Sequence, residues 1–364
     1  MKKIFNFIYL ILLLCIFSCS KQEINDTINS FEVFDETKNS SLHDITTTET
    51  AYESIEANET YEVPEIIKYD TEDLLILDDS ESKNIDEKIL FGDKKKYPKV
   101  DGSTALLPLM AQVRSRALGI NLDEAENDTS CTKTNFAWYN LYEGNADILI
   151  VGEMPKEVKD DLEYQNKLKK SNNKKIQQIL YAPVRREGLV FIINKNNPVE
   201  SLTRQQLIDI YTGKITNWKE VGGNDASIEA FQREEKSGSQ TIFRKILMKD
   251  IEPTKKESWY YVADMNELIE EIASYDNTSN AIGYSVYYFV TQMHKNENVK
   301  ILKIDDIMPS NETIADFSYP LLNESYVAIR ADDPLNSDTR KLYDYIRSNQ
   351  GKQAAIDAGY VPVK

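Results

Sequence analysis

The chain has 364 residues, 41% of them hydrophobic, with 60 acidic and 43 basic side chains and a net charge of -17. Its length exceeds one typical domain and predicts two lobes plus appendages, with apolar content enough for real cores. The charge is uneven: residues 22–93 hold 21 Asp/Glu against Lys38, Lys68, Lys83 and Lys88, and the rest balances at 39 acids and 39 bases, which leaves no basic face and excludes nucleic-acid binding.

Residues 1–19 read as an export signal. Lys2 and Lys3 precede an apolar core, Ile8 to Phe17, that is too short to span a bilayer comfortably. Ile16-Phe17-Ser18-Cys19 resembles a bacterial lipobox, so Cys19 is the expected lipidation site and the chain is expected at the extracytoplasmic face of the cell membrane. An ordinary cleaved signal or an uncleaved anchor is the alternative. Cys131 is then the one free thiol of the mature domain, which rules out an intramolecular disulfide. With His43 and His294 the only histidines, no transition-metal site and no cofactor are expected.

Residues 20–96 read as an acidic, self-repelling, disordered tether, with a brief strand or docking segment at Leu74 to Leu77. The fold is expected from Tyr97. Val100-Asp101 ends a short strand, and Ser103 or Thr104 caps a helix in which Leu106, Leu107, Met110, Val113, Ala117 and Leu118 recur at helical spacing up to Gly119. A short helix at Phe136–Leu141, a buried strand at Ile148–Val151 and a solvated helix at Lys156–Lys175 follow. Ile179–Val184 and Leu189–Asn194 read as strands split by Arg185-Arg186-Glu187-Gly188, whose arginines suit surface salt bridges, with a place in the cleft as the alternative.

Helices are expected at Ser201–Tyr211, Ile242–Met248, Met265–Tyr275, Ser285–Met293, Ser337–Asn349 and Gly351–Ala358, and strands at Ile228–Phe231, Ala281–Tyr284 and Tyr326–Arg330. The alternation predicts α/β layers with largely parallel sheets. No Gly-x-Gly-x-x-Gly follows a strand and no P-loop is present. Two stretches carry the chemistry, Asp101-Gly102-Ser103-Thr104 and Arg233 through Ser237-Gly238-Ser239-Gln240. Each precedes a helix and offers amides and hydroxyls at its positive end, which suits an oxyanion.

Four stretches together resemble the phosphate-binding proteins of bacterial ABC transporters, in the periplasmic binding protein-like type II superfamily. They are Asp101-Gly102-Ser103-Thr104-Ala105 with Pro108-Leu109; Leu202-Thr203 through Tyr211, Gly213-Lys214-Ile215-Thr216-Asn217-Trp218 and Gly222-Gly223; Arg233, Glu235 and Ser237-Gly238-Ser239; and Ala281-Ile282-Gly283-Tyr284. The resemblance runs from about Tyr97 to the C-terminus. It implies two lobes joined by two hinge crossovers, lobe 1 from residues 97–190 and 305–364 and lobe 2 from 191–304, with the ligand between them.

It also implies site roles. Ser103 and Thr104 would form one anion loop, and Ser237, Gly238 and Ser239 the other. Arg233 would face the ligand and Glu235 would hold it by ion pairing. Glu153 falls where some relatives place a carboxylate that accepts a proton from hydrogen phosphate and repels sulfate. Gln240 stands where many relatives carry an arginine. The expected molecule is a monomeric, non-enzymatic lipoprotein that captures inorganic phosphate for ABC permease subunits. The competing readings are a receptor for sulfate or molybdate, a surface sensor without transport, and a phosphoester hydrolase, for which the two histidines are a poor endowment.

Overall fold

The structure, a computed structural model, describes residues 74–76, 89–255, 261–262, 264–274 and 280–363. The export segment, Cys19 and nearly all of the acidic stretch lie outside the described residues. The brief strand expected at Leu74 to Leu77 is present as β1 (Leu74–Ile76). No helix among the described residues is long and apolar enough to cross a membrane.

The folded part starts earlier than Tyr97. Leu90 and Phe91 donate their amides to Ala117 O, and the Phe91 ring is buried. β2 (Val100–Gly102) and β3 (Ile148–Val151) lead to β4 (Ile179–Asn194). After it come β5 (Ser201–Leu202), β6 (Glu229–Ala230), β7 (Gln232–Arg233), β8 (Tyr261–Val262), β9 (Ala281–Val286), β10 (Val299–Ile301) and β11 (Lys303–Ile304). β12 (Leu322–Arg330) and β13 (Val361–Pro362) complete the set. One sheet runs in the order β2-β3-β12-β4-β9-β6.

β4 is one continuous strand of 16 residues, not the two short strands expected. Its first part, up to Gly188, pairs with β12, and Leu189 to Ile193 pair with β9. The polar run in its middle does not break it because the run is buried and partnered. Arg185 bonds Glu187 and lies 4.4 Å from the Tyr360 ring centroid. Arg186 lies over the Phe317 ring at 4.0 Å and 3.9 Å from Glu324. Arg185 pairs within the interior, whereas Arg186 reaches the exposed Glu324. The expectation of largely parallel sheets is also corrected. β4 runs antiparallel to β9, β10, β12 and β13, while β2–β3 and β6–β9 are parallel.

The hydrophobic core divides at the middle of β4. One cluster joins Leu189 to Ile193 with Leu207, Tyr211, Trp218, Phe243, Leu268, Ile282 and Tyr284. On the other side Leu106, Met110, Val113, Ile150, Val327, Leu342 and Tyr343 pack together, beside a smaller group around Trp138 and Leu149. Local signals placed most helices well. Gly119 ends the helix Leu107–Leu118 at φ 65, a left-handed value that glycine adopts without strain. Thr203 caps Arg204–Tyr211 through a capping box with Gln206. The segment after Gly238–Ile242 departs from expectation by widening into a π-helix, Phe243–Met248.

Trp218, at 1% exposure, packs in the first cluster while its indole N–H donates to Asn280 O at 2.9 Å. Truncation removes both the ring and that bond. Trp218→Ala is expected to lower stability by about 3–5 kcal/mol, read as a lower midpoint in urea unfolding.

Candidate functional site

The functional stretches meet at a cavity of about 250 Å3. Ser103 and Thr104 line it from the end of β2. Gly102 allows that approach, because a Cβ there would sit 1.8 Å from Ile150 O. Ser103 Oγ accepts the Gly152 amide at 2.9 Å and shares a hydrogen bond with Thr134 Oγ1 at 2.8 Å. The Ser103 amide is spent on Ile150 O, so this residue offers its hydroxyl to the cavity.

Thr134 is a site residue that sequence reasoning missed. It opens the helix Thr134–Glu143, whose cap residue Lys133 has φ 76 and no side-chain cap bond. The first amides of that helix therefore lack side-chain partners, and Lys133, Thr134, Asn135 and Phe136 all line the cavity. Asp101 sets up this arrangement. Its buried carboxylate accepts from the Gly102 amide, from the amide and hydroxyl of Thr132, and from Asn140 Nδ2, all at 2.6 to 2.8 Å. A threonine beside a helix start was a visible signal, but its partner in the other loop lies 31 residues away.

From the other half come Arg233, Ser237, Gly238 and Ser239. Ser237 caps Gly238–Ile242 by accepting the Gln240 amide at 3.3 Å, which leaves the Gly238 and Ser239 amides at a positive helix end. Gly238 lies so close to Thr134 that a Cβ would meet Thr134 Oγ1 at 2.7 Å. Arg233 is 4% exposed; its Nε donates to Val262 O at 2.8 Å and Nη1 lies 3.4 Å from Ser239 Oγ. Burial pulls its pKa down, with Tyr284, Asp264 and Glu234 opposing. A guanidinium stays charged regardless, so this desolvated cation gains from an anion beside it.

Two expected roles, those of Glu153 and Glu235, need correction. Glu153 does not line the cavity: its carboxylate accepts from Tyr326 OH at 3.0 Å and pairs with Lys245 at 2.8 Å. Gly152 turns toward Ser103, and the next residue faces away. Glu235 is exposed and pairs with Arg244 at 3.6 Å, while Arg233 is turned inward to the Val262 carbonyl and Ser239. Gln240 is fully buried, accepts from Tyr284 OH and from the Arg233 amide, and does not face the cavity. Arg185, for which a place in the cleft was the alternative to a surface salt bridge, lines the cavity together with Glu187. Across the rim, Lys133 pairs with Asp264 at 3.6 Å.

Donors converge in the cavity beside the carboxylates of Glu187, Glu234 and Asp264. Hydroxyls, first-turn amides and a buried guanidinium converge on a space that suits a small oxyanion. A family model described as a PBP superfamily domain matches residues 94–349. The chain is 28% identical over 179 residues to a protein named phosphate-binding protein PstS from Bacillus subtilis, covering 48% of this chain and 55% of that protein, so this match spans about half of the relative. A protein of the same name from Borreliella burgdorferi is 24% identical over 278 residues, covering 75% of this chain and 92% of that one. Among solved structures, a putative phosphate ABC transporter substrate-binding protein with bound phosphate from Clostridium perfringens is similar with a TM-score of 0.55 and 25% identity, over 73% of this chain and 98% of that one.

Asp101→Ala leaves the donors of Thr132 and Asn140 without an acceptor. It is expected to cost about 3 kcal/mol, seen in urea unfolding, and to speed hydrogen exchange in residues 132–136 more than in the core of the other half.

Proposed function

The chain belongs to the PBP superfamily domain family, and on that premise we propose that it captures inorganic phosphate in the cavity and hands it to ABC permease subunits. The observation that carries this reading is the convergence of Ser103, Thr104 and Thr134 from one half with Arg233, Ser237, Gly238 and Ser239 from the other. The phosphate bound in the Clostridium perfringens relative supports it. The protein works by binding and release, without turnover.

A phosphate leaving water must have its oxygens satisfied by donors. The hydroxyls of Ser103, Thr104, Thr134, Ser237 and Ser239, the amide of Gly238 and the fork of Arg233 supply them. Glu235 serves the second loop indirectly, by holding Arg244 and accepting from Gln240. The lobes of this reading are residues 97–190 with 305–364, and residues 191–304, and they close over the ion. Glu153–Lys245 and Lys133–Asp264 bridge the two sides and clasp the closed form, each pair contributing about 0–1 kcal/mol because it is partly exposed. Residues 1–19 direct export, Cys19 carries lipid, and the acidic stretch ahead of Leu90 spaces the binding domain from the membrane surface.

Titration calorimetry with phosphate, sulfate and molybdate is the test. Phosphate should bind most tightly, and a preference for sulfate or molybdate overturns the reading. Arg233→Ala should weaken phosphate binding by about ten-fold or more, because an ion is left without its buried counter-charge; unchanged affinity removes Arg233 from the site. Gly238→Ala should weaken binding several-fold with the unfolding midpoint unchanged, since its methyl group holds Thr134 away.

A further inference from the structure

The cavity is larger than a tetrahedral oxyanion requires. A water needs roughly 10–15 Å3 of such space, and the ion is a few waters in bulk, so it fills only part of 250 Å3. The remainder lies over the middle of β4, whose Arg185 and Glu187 line it. Sheet register gives its direction. Tyr326 pairs with Val151, the last residue of β3 and the neighbour of Gly152, and Ser325, across a bulge in the register, pairs with Arg185. Gly152, Ser325 and Arg185 thus form one row across three strands, and all three line the cavity. With strands about 4.8 Å apart, the row is roughly 10 Å long. The anion loop stands at one end, where Ser103 bonds Gly152, and the guanidinium at the other.

The guanidinium is held but not used up. Nη1 donates to Glu187, and the plane lies over Tyr360, whose hydroxyl donates to Ala105 O at 2.9 Å. Glu187 also accepts the amides of Gly188 at 3.1 Å and Tyr288 at 3.2 Å on its other oxygen. Nε of Arg185 has no acceptor among the described residues although the residue is only 2% exposed. Nε is closed off from the cavity, whereas Nη2 has no acceptor among the described residues and is not sealed in, so it is the donor left for a carboxylate oxygen. Leu106, Val286 and Phe289 add apolar wall suited to carbon atoms.

Resting on the phosphate reading above, we propose that the cavity also takes phosphate monoesters whose short substituent carries a carboxylate, with the phosphate on the Ser/Thr loops and Arg233 and the carboxylate on Arg185. A substituent of a few carbon atoms spans the row, and the ligand's second charge meets the second guanidinium.

The test is calorimetry on the full chain with orthophosphate, 3-phosphoglycerate and glycerol 3-phosphate, the two esters differing in the carboxylate. 3-Phosphoglycerate should bind roughly ten-fold more tightly than glycerol 3-phosphate, and Arg185→Gln should bring that ratio close to one. The ratio cancels any effect of the substitution on the phosphate end. Arg185→Lys, which keeps the charge and loses the fork, should give an intermediate ratio. Orthophosphate binding without 3-phosphoglycerate binding overturns the proposal, as does an unchanged ratio in a folded Arg185→Gln. If that variant does not fold, the comparison of esters on the unaltered protein decides, and equal affinities overturn it. Failure of orthophosphate itself to bind overturns the phosphate reading, and this proposal with it.

Discussion

β4 belongs to both halves of the molecule, and that sharing constrains everything around the cavity. A strand of 16 residues is longer than either half needs. Its first part completes the sheet with β12 and β3, and its last part completes the sheet with β9. The cavity floor is therefore a stretch of backbone that neither half can reposition alone. The two parts of β4 meet at Gly188, where contacts from both halves cross. Tyr288 sits at that crossing, stacked on Tyr360 with 3.7 Å between ring centroids and with its hydroxyl on Ala358 O. Its amide bonds Glu187, the partner of Arg185. Floor, crossing and C-terminal segment thus form one hydrogen-bonded and stacked unit.

Two kinds of electrostatic contact act around the cavity, and magnitude separates them. The rim pairs Lys133–Asp264 and Glu153–Lys245 are partly exposed, so water and salt screen them. Arg233 is buried, and its desolvation is a standing cost that a bound anion offsets. The buried groups therefore weigh more on an anion in the cavity than the screened rim pairs do. Asp101 acts on neither. Its carboxylate, with four donors, organises the loop that carries Thr134, so a negative charge close to an anion site is spent on geometry.

Much of the fold was legible because its signals are local. The helix stop at Gly119, the apolar run Ile148–Val151 and the Ser/Gly loops announce themselves within a few residues. The continuity of β4 was not legible, since Arg185-Arg186-Glu187 resembles a solvated turn. Only Tyr360, Phe317 and Glu324, far along the chain, turn it into buried strand. The same limit applies at the site. Ser103, Thr104 and Ser237 to Ser239 were readable from composition and position. Thr134 depended on an Asp101 carboxylate some thirty residues upstream, and the partners of Glu153 and Glu235 depended on which way a strand end and a loop face.

Gln240 shows how such a site can relocate its charge. Its amide is buried and bridges Tyr284, the Arg233 backbone and Glu235, so it organises the arginine without facing the ion. A longer cation at that position would have to leave this network to reach the cavity. The second guanidinium on the cavity wall comes instead from the shared strand, at Arg185. Arg233 lies on the short strand β7, whereas Arg185 lies on the strand that both halves share. Glu187 and Tyr360 tie that second guanidinium to the cavity floor, so its position is set by the strand and not by either anion loop.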